Sequence, residues 1–195
     1  PLLKRRMLLT AEQLTAGQTD LLLTMNAYDL DVARRYRLGR QVAAIPGMGV
    51  DFGRLDRLAE VDRRQVRREL GFGEGDFVLV YAAEFSHRKS QEVLIRGLST
   101  LPVQVKLLLP GQGELWDRCR DLAVSLGLEN RVIFPGQVGD MVPLYAIADG
   151  AVSSSRSEGL PFNVMEAMYA GLPVVASAVK GHTDLITPEI SGLLY

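Results

Sequence analysis

Cysteine and histidine are scarce in this sequence: one thiol, Cys119, and two imidazoles, His87 and His182. A single cysteine excludes an internal disulfide and a cysteine zinc cluster, and points to a reducing compartment. Two histidines exclude a histidine-rich metal site. Long apolar runs are also missing. The longest uncharged stretch near the C-terminus, residues 167–179, has 13 residues and is broken by Gly171 and Pro173, whereas a membrane span needs about 20. No signal-peptide pattern opens the chain. Charge of one sign is lacking as well. With 22 basic and 23 acidic residues the formal net charge is −1, so nucleic acid is not an expected partner.

What remains has ordinary globular proportions, 47% hydrophobic and 23% charged over 195 residues. Disorder, collagen and coiled coil are poor readings of such a composition. The length suits one domain, or one domain with part of another. The chain begins at Pro1 without a methionine and stops at Tyr195 inside the apolar run Gly192-Leu-Leu-Tyr195. Both ends read as cuts through a longer protein. Residues 1–75 carry a net +3 and residues 76–195 a net −4. Arginine dominates the first part: Arg34, Arg35, Arg37 and Arg40, then Arg54, Arg57, Arg63, Arg64, Arg67 and Arg68. This run reads either as solvated helix faces or as a surface turned to anionic lipid or to a further domain.

Short apolar runs at 21–25, 42–45, 77–82, 105–109, 132–134, 150–153 and 174–176 are expected as strands. Amphipathic stretches at 28–37, 55–70, 90–98, 114–126, 141–148 and 162–170 are expected as helices. The alternation predicts a parallel sheet with helices on both faces. Gly71-Phe-Gly73-Glu-Gly75 is expected to be a flexible joint, with regular strand–helix units after it.

Chemistry concentrates in one segment. A strand ends in Ser153-Ser-Ser155, a loop with Glu158 and Gly159 follows, and Pro161 stands where a helix start tolerates proline. A helix N-terminus offers unpaired N–H groups and the positive end of a dipole, which suits phosphate. Gly159 lets the main chain come close to a ligand. Glu158 and Glu166 offer carboxylates to sugar hydroxyls, Glu166 in the way an acidic residue meets a ribose. The spacing of the two glutamates alone also fits a solvated pair.

The surrounding residues are more specific. Ser157-Glu-Gly-Leu-Pro-Phe-Asn-Val-Met-Glu-Ala-Met-Tyr-Ala-Gly-Leu-Pro-Val-Val-Ala-Ser177 closely resembles the signature of the retaining glycosyltransferases of family 4, which have the GT-B fold. Arg131-Val-Ile-Phe-Pro-Gly136, Leu107-Leu-Leu-Pro-Gly-Gln-Gly-Glu114, Gly181-His-Thr-Asp-Leu-Ile186 and Ile45-Pro-Gly-Met-Gly-Val-Asp51 resemble further segments of that family, in order, from about residue 20 to the end. The nearest likeness is to members that build capsular and exopolysaccharides. The resemblance implies an α/β, Rossmann-like open parallel sheet with helices on both faces, one half of a GT-B fold. It assigns residues 1–45 to a remnant of an N-terminal acceptor domain and linker. Residues 46–195 become a C-terminal sugar-nucleotide domain cut before its last helix.

Position by position, the resemblance gives Glu166 the ribose hydroxyls and Glu158 the donor sugar. The main chain at Leu160, Pro161, Phe162, Asn163 and Val164 takes the diphosphate and sugar, and Lys89 the diphosphate. A cation there stabilises the negative charge that builds on the leaving diphosphate. One departure stands out. Five residues before the lysine the family usually has arginine, and here it is Glu84, leaving Arg88 to supply charge. Phe134 and Pro135 resemble the segment whose main chain meets the base. The implied donor is a UDP-sugar, with retention and with neither cofactor nor metal. The acceptor is a glycan or lipid-linked molecule held through the other domain. The place is the cytoplasm, with peripheral association at the inner membrane face left open.

Gly111 and Gly113 mimic a dinucleotide fingerprint, but Trp116 stands where a third glycine belongs. They read as a tight strand-to-helix turn near the ligand or as plain loop. His182 reads as a helix-capping or surface residue, Cys119 as buried packing, and Met165, Met168 and Tyr169 as core. The alternatives are a GT-B relative with other chemistry, such as a nucleotide-sugar epimerase, and a non-catalytic nucleotide-sugar-binding module.

Overall fold

A computed structural model describes residues 2–195 and, apart from Leu2, Lys4 and Arg5, their side chains. The chain divides into two units, 1–49 and 50–195. The first unit contains α1 (Leu2–Thr15), β1 (Leu21–Thr24), α2 (Ala27–Tyr36) and β2 (Gln41–Ala44). β1 and β2 pair in parallel, Leu21 against Gln41 through Thr24 against Ala44. The α2 helix starts because the Asn26 side chain accepts the Asp29 N–H at 2.8 Å. It stops at Arg37, whose left-handed φ of 51° turns the chain out.

The second unit opens with a 3-10 helix, Gly53–Glu60, and then α3 (Arg63–Glu69). Sequence periodicity suggested one helix over 55–70. The break falls at Val61 and Asp62, where Val61 is extended and the Asp62 carboxylate takes the Gln65 N–H at 3.0 Å, starting a new helix. The glycines at 71–75 do not form a joint between domains. They lie inside this unit and turn the chain from α3 into β3.

From there the chain alternates: β3 (Phe77–Val80), α4 (Gln91–Leu98), β4 (Val105–Leu108), α5 (Trp116–Ser125), β5 (Val132–Ile133), α6 (Val142–Ile147), β6 (Gly150–Ser153), α7 (Phe162–Tyr169), β7 (Val174–Ala176), α8 (His182–Leu185) and β8 (Leu193–Leu194). The strands form one parallel sheet in the order β5-β4-β3-β6-β7-β8. The final apolar run thus supplies an edge strand.

Both sheet faces are buried, because successive side chains of a strand point to opposite sides. Val78, Val80, Leu108 and Ala151 enter one core with Leu55, Tyr145, Ile147, Val164 and Ala167, beneath α6, α7 and the 3-10 helix. Tyr81, Leu107 and Leu109 enter the other with Phe85, Ile95, Leu98, Cys119 and Ala123, beneath α4 and α5. Cys119 is fully buried, and burial raises its thiol pKa to about 11. The sulfur is packing, as expected. Tyr169 departs from the core reading: it is half exposed.

Much of the arginine run is consumed internally. Arg35 pairs with Asp31, Arg40 with Asp20 and Arg57 with Asp140. Arg63 and Arg67 both hold Asp149, and they also donate to the Ala146, Ile147 and Ala148 carbonyls that end α6. These arginines cap a helix terminus, so the positive stretch is largely neutralised by its own fold. Among the described residues, no helix is long and apolar enough to cross a membrane.

Candidate active site

The strand order reverses between β3 and β6. In open parallel sheets the crevice at such a switch point, outside the carboxyl ends of the strands, takes the ligand. The loops that leave β3 (residues 81–90) and β6 (residues 154–161) meet there. The Arg156 N–H donates to the Arg88 carbonyl at 2.8 Å. Ser154 Oγ lies 3.0 Å from the Lys89 carbonyl and 2.9 Å from that of Ser90, and Ser90 has a left-handed φ of 56°. Asn163 Nδ2, at the start of α7, donates to the Ala82 carbonyl at 2.9 Å. The loop after β3 is thus tied to the loop after β6 by main-chain and hydroxyl bonds and to the start of α7 by the Asn163 amide.

These ties place Glu158 between two cations. Lys89 Nζ is 2.5 Å from Glu158 Oε1, and an Arg88 guanidinium nitrogen is 2.9 Å from Oε2. Ser155 Oγ donates to Oε1 at 2.5 Å. The Glu158 side chain is 5% exposed and that of Lys89 12%. Burial by itself would raise the Glu158 pKa, but the bonds from Lys89 and Ser155 and the charges of Lys89 and Arg88 outweigh it and hold the carboxyl below its ordinary range. The Tyr81 hydroxyl stands 2.7 Å from Ser155 Oγ, and burial pushes its pKa up to about 12. It remains a protonated partner beneath the pair.

Glu166 sits on the buried face of α7. Tyr145 on α6 donates to its Oε2 at 2.9 Å, and the Arg54 guanidinium of the 3-10 helix pairs with its Oε1. Burial raises the Tyr145 pKa, so its hydroxyl stays a donor. Phe52, just before the 3-10 helix, stacks on Tyr169 at 4.6 Å and 12°. Tyr169 O–H donates to Asp56 at 2.5 Å. These contacts fix the 3-10 helix on α7.

The remaining sequence candidates fall as follows. Gly159 and Leu160 are half-buried in the loop, and Pro161 is buried. Phe162 is less than half exposed at the first turn of α7. Asn163 Oδ1 accepts the Val164 N–H at 3.0 Å, and Val164 N also lies 3.1 Å from the Pro161 carbonyl. The Val164 N–H is therefore already bonded inside the helix start rather than offered to a ligand. Gly111 and Gly113 lie against the loop after β3: an added Cβ would fall on the Ala83 and Phe85 carbonyl oxygens, and both φ values are positive. Their glycine character lets two loops touch. The Phe134 ring packs with Trp116 at 5.4 Å and Phe85 at 6.0 Å, and Pro135 is half-buried beside it. Glu84 is exposed, and its carbonyl accepts from Gln91 Nε2 at 2.8 Å.

His182 is neither a cap nor a surface residue. It is fully buried, with Nδ1 2.8 Å from the Ser177 carbonyl and Nε2 3.1 Å from Ser153 Oγ. That pattern makes Nδ1 the donor and Nε2 the acceptor. Burial pushes the imidazole pKa down, against the Ser177 bond and the Glu158 charge. The ring ties the ends of β6 and β7 together behind Glu158.

Three residues of this cluster carried no site assignment in the sequence, Arg54, Tyr81 and Tyr145, and Ser155 was read only as part of the segment that carries the chemistry. One signal was present. Three consecutive serines closing a buried strand need hydrogen-bond partners, and these find Lys89, Glu158 and His182. Arg54 gives no such signal, being 112 residues from its partner.

The arrangement joins two basic side chains and the buried Glu158 at the switch-point crevice, followed by the start of α7, which carries the second buried carboxylate, Glu166. Chemically it suits a ligand with phosphates and several hydroxyls. The family model for glycosyl transferases group 1 matches residues 62–195. The putative glycosyltransferase EpsD of Bacillus subtilis (strain 168) is 34% identical over 187 residues, which cover 94% of this chain and 49% of that protein. D-inositol 3-phosphate glycosyltransferase of Salinispora arenicola (strain CNS-205) is 30% identical over 200 residues, with 94% and 45% covered. The crystal structure of Anabaena Alr3699/HepE in complex with UDP and glucose superposes with a TM-score of 0.82 at 25% identity, covering 95% of this chain and 52% of that one. The chain thus spans about half the length of these relatives. On the family match and the EpsD likeness, the chain belongs to the glycosyl transferases group 1 family.

Proposed function

We propose that this chain is the donor-binding half of a family 4 glycosyltransferase that takes a UDP-sugar and transfers the sugar with retention to a glycan or lipid-linked acceptor. The observation that carries the reading is the Lys89–Glu158–Arg88 cluster at the switch point, with Glu166 on the following helix. Lys89 and Arg88 meet the diphosphate, which becomes more negative as the glycosidic bond breaks, and fixed cations favour that change. Glu158, released from part of this pairing, accepts from hydroxyls of the donor sugar. Glu166 accepts from the ribose, and the main chain at residues 134–135 meets the base. The main chain at residues 159–163 lies along the diphosphate and sugar, while the Val164 N–H stays bonded within the helix start. Positive side chains do the work of a cation, so no metal is proposed. The HepE structure, in complex with UDP and glucose, supports the choice of uridine. The acceptor, and the cytoplasmic membrane face where a lipid-linked one would be met, are assigned to the part of the relatives' length that this chain does not span. Transfer needs a closed cleft that positions the acceptor and excludes water, so the chain alone is expected to bind donor and transfer little.

The test is calorimetric titration with UDP, GDP, ADP and NAD, without and with magnesium. Tighter binding of UDP, unchanged by magnesium, is the expected result. A GDP or ADP preference would replace the donor base, and an NAD preference would overturn the reading.

A further inference from the structure

Glu166 is a buried carboxylate, 7% exposed, with both oxygens engaged. Its Oε2 accepts from Tyr145 and its Oε1 from Arg54. An ionised carboxylate has about four acceptor positions, two on each oxygen. Tyr145 and Arg54 each fill one, and they fill them on different oxygens. One position is left on each. Two neighbouring hydroxyls, a vicinal diol, fit that remainder.

Arg54 also supplies the charge. A buried carboxylate without a cation is costly. Among the described residues Arg54 is the cation bonded to Glu166. Its neighbour Arg57 is committed to Asp140 at 3.0 Å. The segment that bears Arg54 is fixed at three points. Phe52 stacks on Tyr169, Asp56 accepts from the Tyr169 hydroxyl, and Leu55, 1% exposed, sits in the core. The guanidinium is delivered by a docked element.

We propose that Arg54 is a positioning residue for nucleotide recognition: together with Tyr145 it holds the Glu166 carboxylate oriented as a two-point acceptor, and so makes the site selective for a ribose with both of its hydroxyls. This rests on the reading of Glu166 as the ribose residue.

The test is a cycle between variant and ligand. UDP and 2′,3′-dideoxy-UDP are titrated into the parent protein, Arg54→Ala and Arg54→Lys, at a temperature where thermal melts show all three folded. The parent should prefer UDP by about tenfold or more, as expected for hydrogen bonds to a charged acceptor. In Arg54→Ala the preference should fall below about threefold while dideoxy-UDP affinity changes little, and Arg54→Lys should recover most of it. If Arg54→Ala weakens both ligands equally and keeps the preference, Arg54 acts on the fold or the diphosphate, and the proposal fails while Glu166 keeps its role. If the parent itself does not distinguish the two ligands, the ribose role of Glu166 fails, and the proposal fails with it.

Discussion

Lys89 and Glu158 sit 2.5 Å apart at the point where the strand order reverses, each almost excluded from solvent. They come from different loops, 69 residues apart in sequence. A buried pair of this kind is weak evidence for stability, because desolvating both charges offsets much of their attraction. Its place at the switch point is the reason the pair is proposed to serve a donor diphosphate: Glu158 holds the Lys89 side chain in position between the two loops.

Lys89→Ala separates the two roles. With the diphosphate role, UDP binding should weaken by about 1.5–3 kcal/mol, the range for hydrogen bonds to charged groups, while uridine binding should hardly change. Calorimetry with both ligands reads the difference. Equal losses for UDP and uridine would take Lys89 away from the diphosphate.

From sequence Gly111 reads as a turn near a ligand or as plain loop, and Gly159 as a close approach to a ligand; the structure separates them. At Gly111 a side chain would strike the Ala83 carbonyl, and φ is 141°. At Gly159 there is open space within 4 Å and φ is unremarkable. Gly111→Ala should therefore cost about 2–4 kcal/mol of folding stability, through backbone strain and a displaced loop. Gly159→Ala should stay within about 0.5 kcal/mol of the parent in stability, yet weaken UDP binding if the main chain there approaches the donor. Chemical denaturation and calorimetry on the two variants check both halves. A destabilised Gly159→Ala would move that glycine into the structural class.

The fold was legible because its signal is local. Each strand from 77 to 176 is a short apolar run closed by Gly, Pro or polar residues, and each helix shows one apolar face. The misread region, 55–70, failed for a local reason too: Asp62 caps a second helix inside a stretch whose periodicity runs straight through. The candidate residues Lys89, Glu158 and Glu166 were legible through family likeness, not through spacing. Arg54, Tyr81 and Tyr145 were not, because their roles come from tertiary contacts between distant segments. His182 shows the same limit. Its neighbours in sequence suggest a helix start, and only the sheet reveals that Ser153 and Ser177 enclose it.

Glu166→Ala tests the ribose site directly. It should weaken UDP binding by about 1–3 kcal/mol, the cost of losing a charged acceptor. It also leaves the Tyr145 hydroxyl, at present bonded to Glu166, without its acceptor in a buried place, so some loss of folding stability should accompany it. Unchanged UDP affinity would remove Glu166 from the nucleotide.

The buried His182 and Glu158 predict how stability depends on pH. Burial lowers the His182 pKa below its ordinary 6.5. Above that value the ring is neutral in both folded and unfolded chains, and pH has no effect through it. As pH falls below 6.5 the unfolded chain takes up a proton that the folded one refuses, so stability declines. Glu158 acts lower down. Its folded pKa is depressed below 4.5, so the stability it lends is complete above that value and is lost as pH falls through the folded pKa. Melting temperature should therefore be level near pH 7–8, fall gently as pH drops through about 6.5, and fall again below about 4.5. His182→Gln should abolish the first decline and leave the second. A melting temperature that rises on acidification from pH 7 to 5 would mean that the imidazole is stabilised in its charged form, contrary to its position between the Ser177 carbonyl and Ser153 hydroxyl.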